Sequence, residues 1–189
     1  MAILNSVNAT PAERTAYLKR ARADLRAQTG EDDGEVAAVE EADDEAGEDI
    51  ELPNERYIEL GAAEEHILTL SSEGLGKRSS AYDYRRTGRG GQGLTAHGLG
   101  GRAGTRLAAS FPVEEGDDLL LVTSGGQMIR TPVGQVRIVG RASQGVTIFR
   151  TAEGERVVSV ERLPDSGDED GTGADVDGEA EGGEGGGES

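Results

Sequence analysis

An internal repeat constrains the fold of this chain more than any other feature. Residues 67–97, ILTLSSEGLGKRSSAYDYRRTGRGGQGLTAH, lie over residues 119–149, LLLVTSGGQMIRTPVGQVRIVGRASQGVTIF, at a constant offset of 52. That offset pairs Ile67 with Leu119, Leu68 with Leu120, Ser72 with Ser124, Gly74 with Gly126, Arg78 with Arg130, Gly88 with Gly140, Arg89 with Arg141, and Gln92-Gly93 with Gln144-Gly145. After a gap of two residues, RLAASFPV (106–113) continues over RVVSVERL (156–163). Recurring hydrophobes are common, whereas glycine and arginine returning at one phase mark repeated backbone geometry. A period near 50 residues, with short apolar alternations punctuated by Gly-rich turns, predicts a propeller-type blade of about four antiparallel strands. One blade cannot bury its faces alone, and a closed propeller needs about four to eight. Two units predict either blades supplied by a partner or the end of a longer polypeptide.

Composition restricts the folded part to this repeat. Only 34% of the 189 residues are apolar and 3% aromatic, against about 45–50% apolar in an ordinary domain, so a core cannot run the whole length. The net charge of −18 is unevenly spread: residues 1–30 carry +3, 31–65 carry −15, 66–163 carry +4 and 164–189 carry −10. The acidic stretches, rich in Asp, Glu and Gly with few large hydrophobes, cannot offset ordering entropy by burial. The expected organisation is an N-terminal segment (1–30), a disordered acidic linker (31–54), one blade over 55–115, a second over 116–163, and a disordered acidic Gly-rich tail (164–189). ELPNERYIELGAAE (51–64) is expected to be a short lead-in to the first unit. The absence of cysteine excludes disulfides, thiolate metal sites and Cys nucleophiles. No apolar run approaches the roughly 20 residues of a membrane span, which predicts no membrane partner.

Thr10-Pro11-Ala12-Glu13 places a hydroxyl N-cap, a Pro at the first helical position and a Glu at the third, so a capped helix is predicted over 11–28, stopping at Gly30. Tyr17, Leu18 and Leu25 give it only a narrow apolar stripe, as in a surface or linker helix.

Other motifs fail in context. Asp168, Asp170, Gly173 and Glu179 match an EF-hand loop, but Thr172 and Asp175 stand at positions that disfavour it and Gly-rich flanks cannot form its helices. Gly88-x-Gly90-x-x-Gly93 fits a dinucleotide fingerprint, yet LTAHGLGG after it is no helix. His66 and His97 have no nearby Ser or Asp pattern for a triad. No catalytic constellation, metal site or cofactor site is predicted.

The stretches GKRSSAYDYRRTGRGGQG, LAASFPVEEGDDLLLVTSGGQMIRTPVGQVRIVGR and QGVTIFRTAEGERVVSVERL resemble the C-terminal DNA-wrapping domain of bacterial DNA gyrase A, over about residues 55–163. ATPAERTAYLKRAR (9–22) with the acidic stretch after it is similar to an insertion between blades in some gyrase A proteins. The resemblance implies an all-β fold, a β-pinwheel, with two four-stranded blades of a six-blade domain, an N-terminal helix and disordered acidic arms. Of the gyrase-A box, Gln-Arg-Arg-Gly-Gly-Lys-Gly, Thr87 to Gly93 keeps four of seven positions, and Val139 to Gly145 keeps Arg141 and Gly145. The family partners so implied are double-stranded DNA, the remaining gyrase A blades and gyrase B, in the bacterial cytoplasm at the nucleoid. The complete enzyme is a type II topoisomerase that uses ATP and Mg²⁺ in other domains and subunits. The catalytic Tyr domain and the ATPase are absent from these residues, so the chain by itself is expected to be inactive.

Lys77, Arg78, Arg85, Arg86 and Arg89, with Arg130, Arg137 and Arg141 at matching or neighbouring phases, are the expected DNA-binding residues. On stacked blades they would form a rim stripe that neutralises phosphates without reading bases. The competing reading places these arginines in ordinary ion pairs with Asp83, Glu114, Glu115, Asp117 and Asp118. A different class of function, a protein-interaction propeller fragment with DNA-mimicking acidic arms, also fits the charge pattern. The tail, tethered beside a basic rim, is expected either to compete with DNA or to serve only as a solubilising disordered arm.

Overall fold

The computed structural model describes residues 4–5, 7–29, 50–85, 89–90, 93–100 and 104–165. Most of both acidic arms, including the EF-hand-like run, lies outside the described residues.

The capping box forms as its residues dictate. Thr10 N donates to Glu13 Oε2 at 2.8 Å and Glu13 N donates back to Thr10 Oγ1 at 3.2 Å, opening helix α1, Pro11–Thr29. Arg56 Nε also donates to Glu13 Oε1 at 2.9 Å, and this pairing holds the Glu13 carboxyl down at about 2. Arg56 belongs to a second helix, α2 (Asn54–Ala62), where a lead-in to the first blade was expected. Tyr57 and Leu60, three residues apart, put apolar groups on one helical face, and α1 supplies the surface that covers them. Tyr17, Leu52, Leu60 and Tyr82 form the buried cluster joining both helices to the first blade. Tyr17 meets Tyr82 edge-on at 5.3 Å and its hydroxyl donates to Glu64 Oε2 at 2.8 Å. Arg22 pairs with Asp83 at 2.6 Å, and Arg20 stacks 4.0 Å above the Tyr57 ring.

Seven strands follow: β1 (His66–Ser71), β2 (Leu75–Ser80), β3 (Leu107–Val113), β4 (Asp118–Thr123), β5 (Met128–Pro132), β6 (Val146–Thr147) and β7 (Val157–Leu163). β1 and β4 stand 52 residues apart, as do the single 3₁₀ turns Ala81–Asp83 and Val133–Gln135, while β3 and β7 stand 50 apart. Even the irregularity recurs: pairing slips after Leu70 in the first unit and after Val122 in the second. The repeat is therefore a repeat of three-dimensional structure.

The expectation of two four-stranded blades requires correction. The antiparallel sheets have the orders β3-β1-β2-β6 and β5-β4-β7, so the first has four strands and the second three among the described residues. The fourth strand of the first sheet, β6, comes from the second repeat. An exposed edge of β2 would leave a row of backbone groups unpaired, and the second unit supplies their partners. Arg78 N donates to Arg137 O, Val139 N to Arg78 O, and Ile148 N to Gly74 O, each at 2.9 Å. The approach is close enough to demand glycine: a Cβ on Gly74 would lie 2.0 Å from the Phe149 carbonyl oxygen, and one on Gly145 2.3 Å from that of Gly76.

Between the sheets, Leu68 and Leu70 pack with Leu119, Leu121, Val133, Val136, Val157 and Val160. The repeat equivalents of Leu68 and Leu70 are Leu120 and Val122, which are not in this core. Successive blades thus turn opposite faces toward each other, an arrangement that can be propagated from blade to blade.

Lys77 lies in the joint, fully buried, its ammonium donating to the carbonyl of Gly140 at 2.8 Å and to that of Arg141. Burial, with the Arg141 charge beside it, pushes its pKa down to about 8. Replacing it by Met strands two carbonyls, so Lys77→Met should destabilise the fold by about 1–3 kcal/mol in urea titrations near neutral pH. His97, where the second unit has Phe149, is buried with Nδ1 3.0 Å from Thr69 Oγ1 and Nε2 unpartnered, and burial first, then Lys77, lowers its pKa to about 4. Between its ordinary value of 6.5 and 4 the unfolded chain takes up a proton that the folded chain refuses, so acid favours unfolding. The wild type should lose stability relative to His97→Phe as pH falls through that interval, measured by paired denaturant titrations.

Candidate nucleic-acid interface

The eight cations singled out from sequence divide into distinct environments. Lys77 is enclosed in the joint just described. Arg78 is 5% exposed and directs its guanidinium inward: Nε donates to Val136 O at 2.7 Å, Nη2 to Gly134 O at 3.3 Å, and Nη1 pairs with Glu115. Buried and bonded to carbonyls of the second unit and to the Glu115 carboxylate, Lys77 and Arg78 fasten one blade to the next. This differs from the expected rim position. Their charges are tolerated inside because every polar contact there is a hydrogen-bond acceptor.

The others lie nearer the surface. Arg85 and Arg89 are exposed, and Arg86 lies outside the described residues. Arg130, on β5, is exposed and bonded through Nε to Asp118 Oδ2 at 2.6 Å. Arg137 and Arg141 are half-buried beside the first blade, with Arg141 Nη1 donating to Thr95 O at 2.5 Å. Of the ion pairs anticipated as the competing reading, Arg78–Glu115 and Arg130–Asp118 are present, while Asp83 and Asp117 pair instead with Arg22 and Arg162.

One pair was missed. Arg106 and Arg156 open β3 and β7, and each is tied to the preceding hairpin in the same way. Ser72 N donates to Arg106 O and Ser124 N to Arg156 O, both at 2.8 Å, while each arginine N–H returns a bond to the serine hydroxyl, at 3.1 and 3.2 Å. Both side chains are exposed. Among the arginines that recur in phase (78 and 130, 85 and 137, 89 and 141, 106 and 156) this last pair alone is exposed in both units at one shared position. The alignment of RLAASFPV over RVVSVERL already contained that signal; what hid it was the two-residue gap before it. Arg156 Nη1 reaches Gly104 O at 3.3 Å, so the two blades meet at this end.

One groove is unfavourable for phosphate. An open groove of about 920 Å³ between the N-terminal segment and β3 is lined by Glu64, Glu65, Glu114 and Glu115, with His66 and Arg162 at its side. Among the described residues no cluster of three or more His, Asp or Glu side chains is arranged to hold a metal ion, and no helix is long and apolar enough to cross a membrane.

Residues 65–99 and 117–164 match the family described as DNA gyrase C-terminal domain, beta-propeller. The DNA gyrase A protein of Granulibacter bethesdensis is 49% identical over 177 residues, covering 89% of this chain and 19% of that protein. Its counterpart in Rickettsia bellii is 39% identical over 170 residues, covering 89% of this chain and 18% of that protein. The chain thus spans about a fifth of the length of these relatives. A solved structure of the DNA gyrase A C-terminal domain, 27% identical, superposes with a TM-score of 0.48, covering 52% of this chain and 33% of that one. The doubled blade, the matching family segments and the identity to these relatives show that residues 65–99 and 117–164 are part of a DNA gyrase A C-terminal β-pinwheel domain.

Proposed function

We infer that this chain is a DNA-wrapping module that binds duplex DNA through its phosphates, supporting ATP-dependent negative supercoiling when joined to the rest of a gyrase. The observation that carries the reading is the exposed pair Arg106 and Arg156, set at one structural position on consecutive blades. Two cations repeated at the blade spacing can follow a backbone bent around the blade ends, and among the described residues no helix or aromatic platform stands beside them to read bases. Arg85, Arg89, Arg130, Arg137 and Arg141 are the further phosphate contacts the reading calls for, together with Arg86, which lies outside the described residues. Lys77 and Arg78 act in the joint, holding the blades at the spacing the contacts need. The partners the reading calls for are the other blades and the ATPase-bearing gyrase B, with the bacterial nucleoid as its location.

Fluorescence anisotropy of a labelled duplex, titrated with the full chain over a range of salt, tests it. Affinity should fall steeply with salt, depend little on base sequence, and the double variant Arg106→Ala/Arg156→Ala should lower the log–log salt slope by about 2. Salt-independent binding, or an unchanged slope in the double variant, would overturn the assignment.

A further inference from the structure

The 3₁₀ turn that follows the hairpin of each unit is gripped from an earlier part of the chain, in two different ways. In the second unit the turn Val133–Gln135 is held by the first blade, where Arg78 Nε donates to Val136 O at 2.7 Å and Nη2 to Gly134 O at 3.3 Å. In the first unit the turn Ala81–Asp83 is held by the helices. Arg22 of α1 pairs with Asp83 at 2.6 Å, Tyr17 of α1 meets the Tyr82 ring edge-on at 5.3 Å, and the Tyr82 hydroxyl donates to Leu60 O of α2 at 2.9 Å. The repeat equivalents of Tyr82 and Asp83 are Gly134 and Gln135, which offer neither ring nor carboxylate. The docking residues are thus particular to the unit on which α1 lies.

Both turns lead directly into a cation. Arg85 stands two residues after Asp83, and Arg137 two after Gln135. Tyr84, between Asp83 and Arg85, is itself tied down: its N donates to Ala81 O at 3.1 Å and its hydroxyl lies 3.2 Å from Ser79 Oγ. The Arg85 side chain that follows is exposed. A long cation contributes to phosphate binding only what remains after the cost of ordering it, so a backbone fixed in advance raises that contribution.

Asp83 also links the helix to the blade joint. Its side chain is 12% exposed, and burial pushes its pKa up against the pull of Arg22, Arg141 and Lys77. Cations of α1, of the second unit and of β2 therefore converge on one carboxylate.

We propose that helix α1 positions a phosphate contact of the first blade: Arg22 and Tyr17, seated on Asp83 and Tyr82, fix the turn from which Arg85 extends toward DNA. Arg22 and Tyr17 are positioning residues and touch no phosphate themselves. The inference rests on the DNA-binding reading above and adds that a helix outside the repeat tunes it.

A double-mutant cycle on the full chain tests it, read by anisotropy of a labelled duplex across a salt series. Arg85→Ala should lower the log–log salt slope by about 1 in the wild type and leave it unchanged in an Arg22→Ala background, where the released arginine no longer contributes. Arg22→Ala alone should lower the slope by about 1, and Arg22→Lys should restore it. Arg106→Ala, at a cation tied to Ser72 instead, should stay additive with Arg22→Ala. Hydrogen exchange supplies a readout without DNA: in Arg22→Ala the Tyr84 amide should lose protection while that of Val136, its repeat equivalent bonded to Val133 O at 2.9 Å, keeps its own. If Arg22→Ala fails to melt cooperatively, Arg22→Ala/Asp83→Asn, which leaves no buried carboxylate without its arginine, takes its place in the cycle. Additive losses for Arg22→Ala and Arg85→Ala, no effect of Arg85→Ala in the wild type, or an equally protected Tyr84 amide would overturn the proposal while leaving the DNA-binding reading intact. A wild type that binds no duplex would overturn both.

Discussion

The outer edge of β2 is the constraint on which the rest of this structure depends. A strand edge left bare exposes unpaired N–H and C=O groups and invites aggregation. Here the loop and strand 136–149 of the second unit cover it, and the covering segment must approach within contact distance of the β2 backbone. Gly74, Gly76 and Gly145 follow from that proximity, since a methyl group at any of them meets main-chain or side-chain atoms. Lys77 and Arg78 follow from it too. The incoming loop brings the carbonyls of Gly134, Val136, Gly140 and Arg141 into the joint, and two long cations satisfy them. The blades are therefore joined by hydrogen bonding at the edge as well as by the aliphatic core between their faces.

That division of labour explains why one residue type has two roles. An arginine on the strand that receives its neighbour's loop becomes part of the joint, as Arg78 does. An arginine at the hairpin end of a strand stays exposed, as Arg106 and Arg156 do, although the Arg156 guanidinium also reaches Gly104 O and lies 4.0 Å from the Glu73 carboxylate. Buried cations surrounded by acceptors stabilise geometry, whereas exposed cations at a repeated spacing can follow a polyanion. The helices apply the same logic on a smaller scale. Arg20 and Arg22 of α1 look like a basic face in sequence, but stacking on Tyr57 and pairing with Asp83 commit them to docking α1 against α2 and the first blade.

Much of the architecture was legible before any coordinate. The offset of 52 gave the strands, the 3₁₀ turns and even the pairing slips their equivalence, because glycine turns and alternating hydrophobes are local properties of the chain. The capping box announced α1 because its hydrogen bonds join residues three apart. Helix α2 was not legible: with Leu60 and Tyr57 as its main apolar contacts, its stability comes from packing against α1, which short-range pattern does not record. Nor was the ownership of β6, a two-residue strand whose pairing partner lies about 70 residues away.

The candidate interface divides along the same line. Sequence by itself determined that cations recur in phase on a doubled β unit and that the acidic excess lies mostly outside it. Only the tertiary structure decided which of those cations face water, because burial depends on where a neighbouring blade's carbonyls arrive. Phase in the repeat says that two residues share a position in their own blades. It cannot say whether the next blade covers that position, and at Lys77 and Arg78 the next blade does.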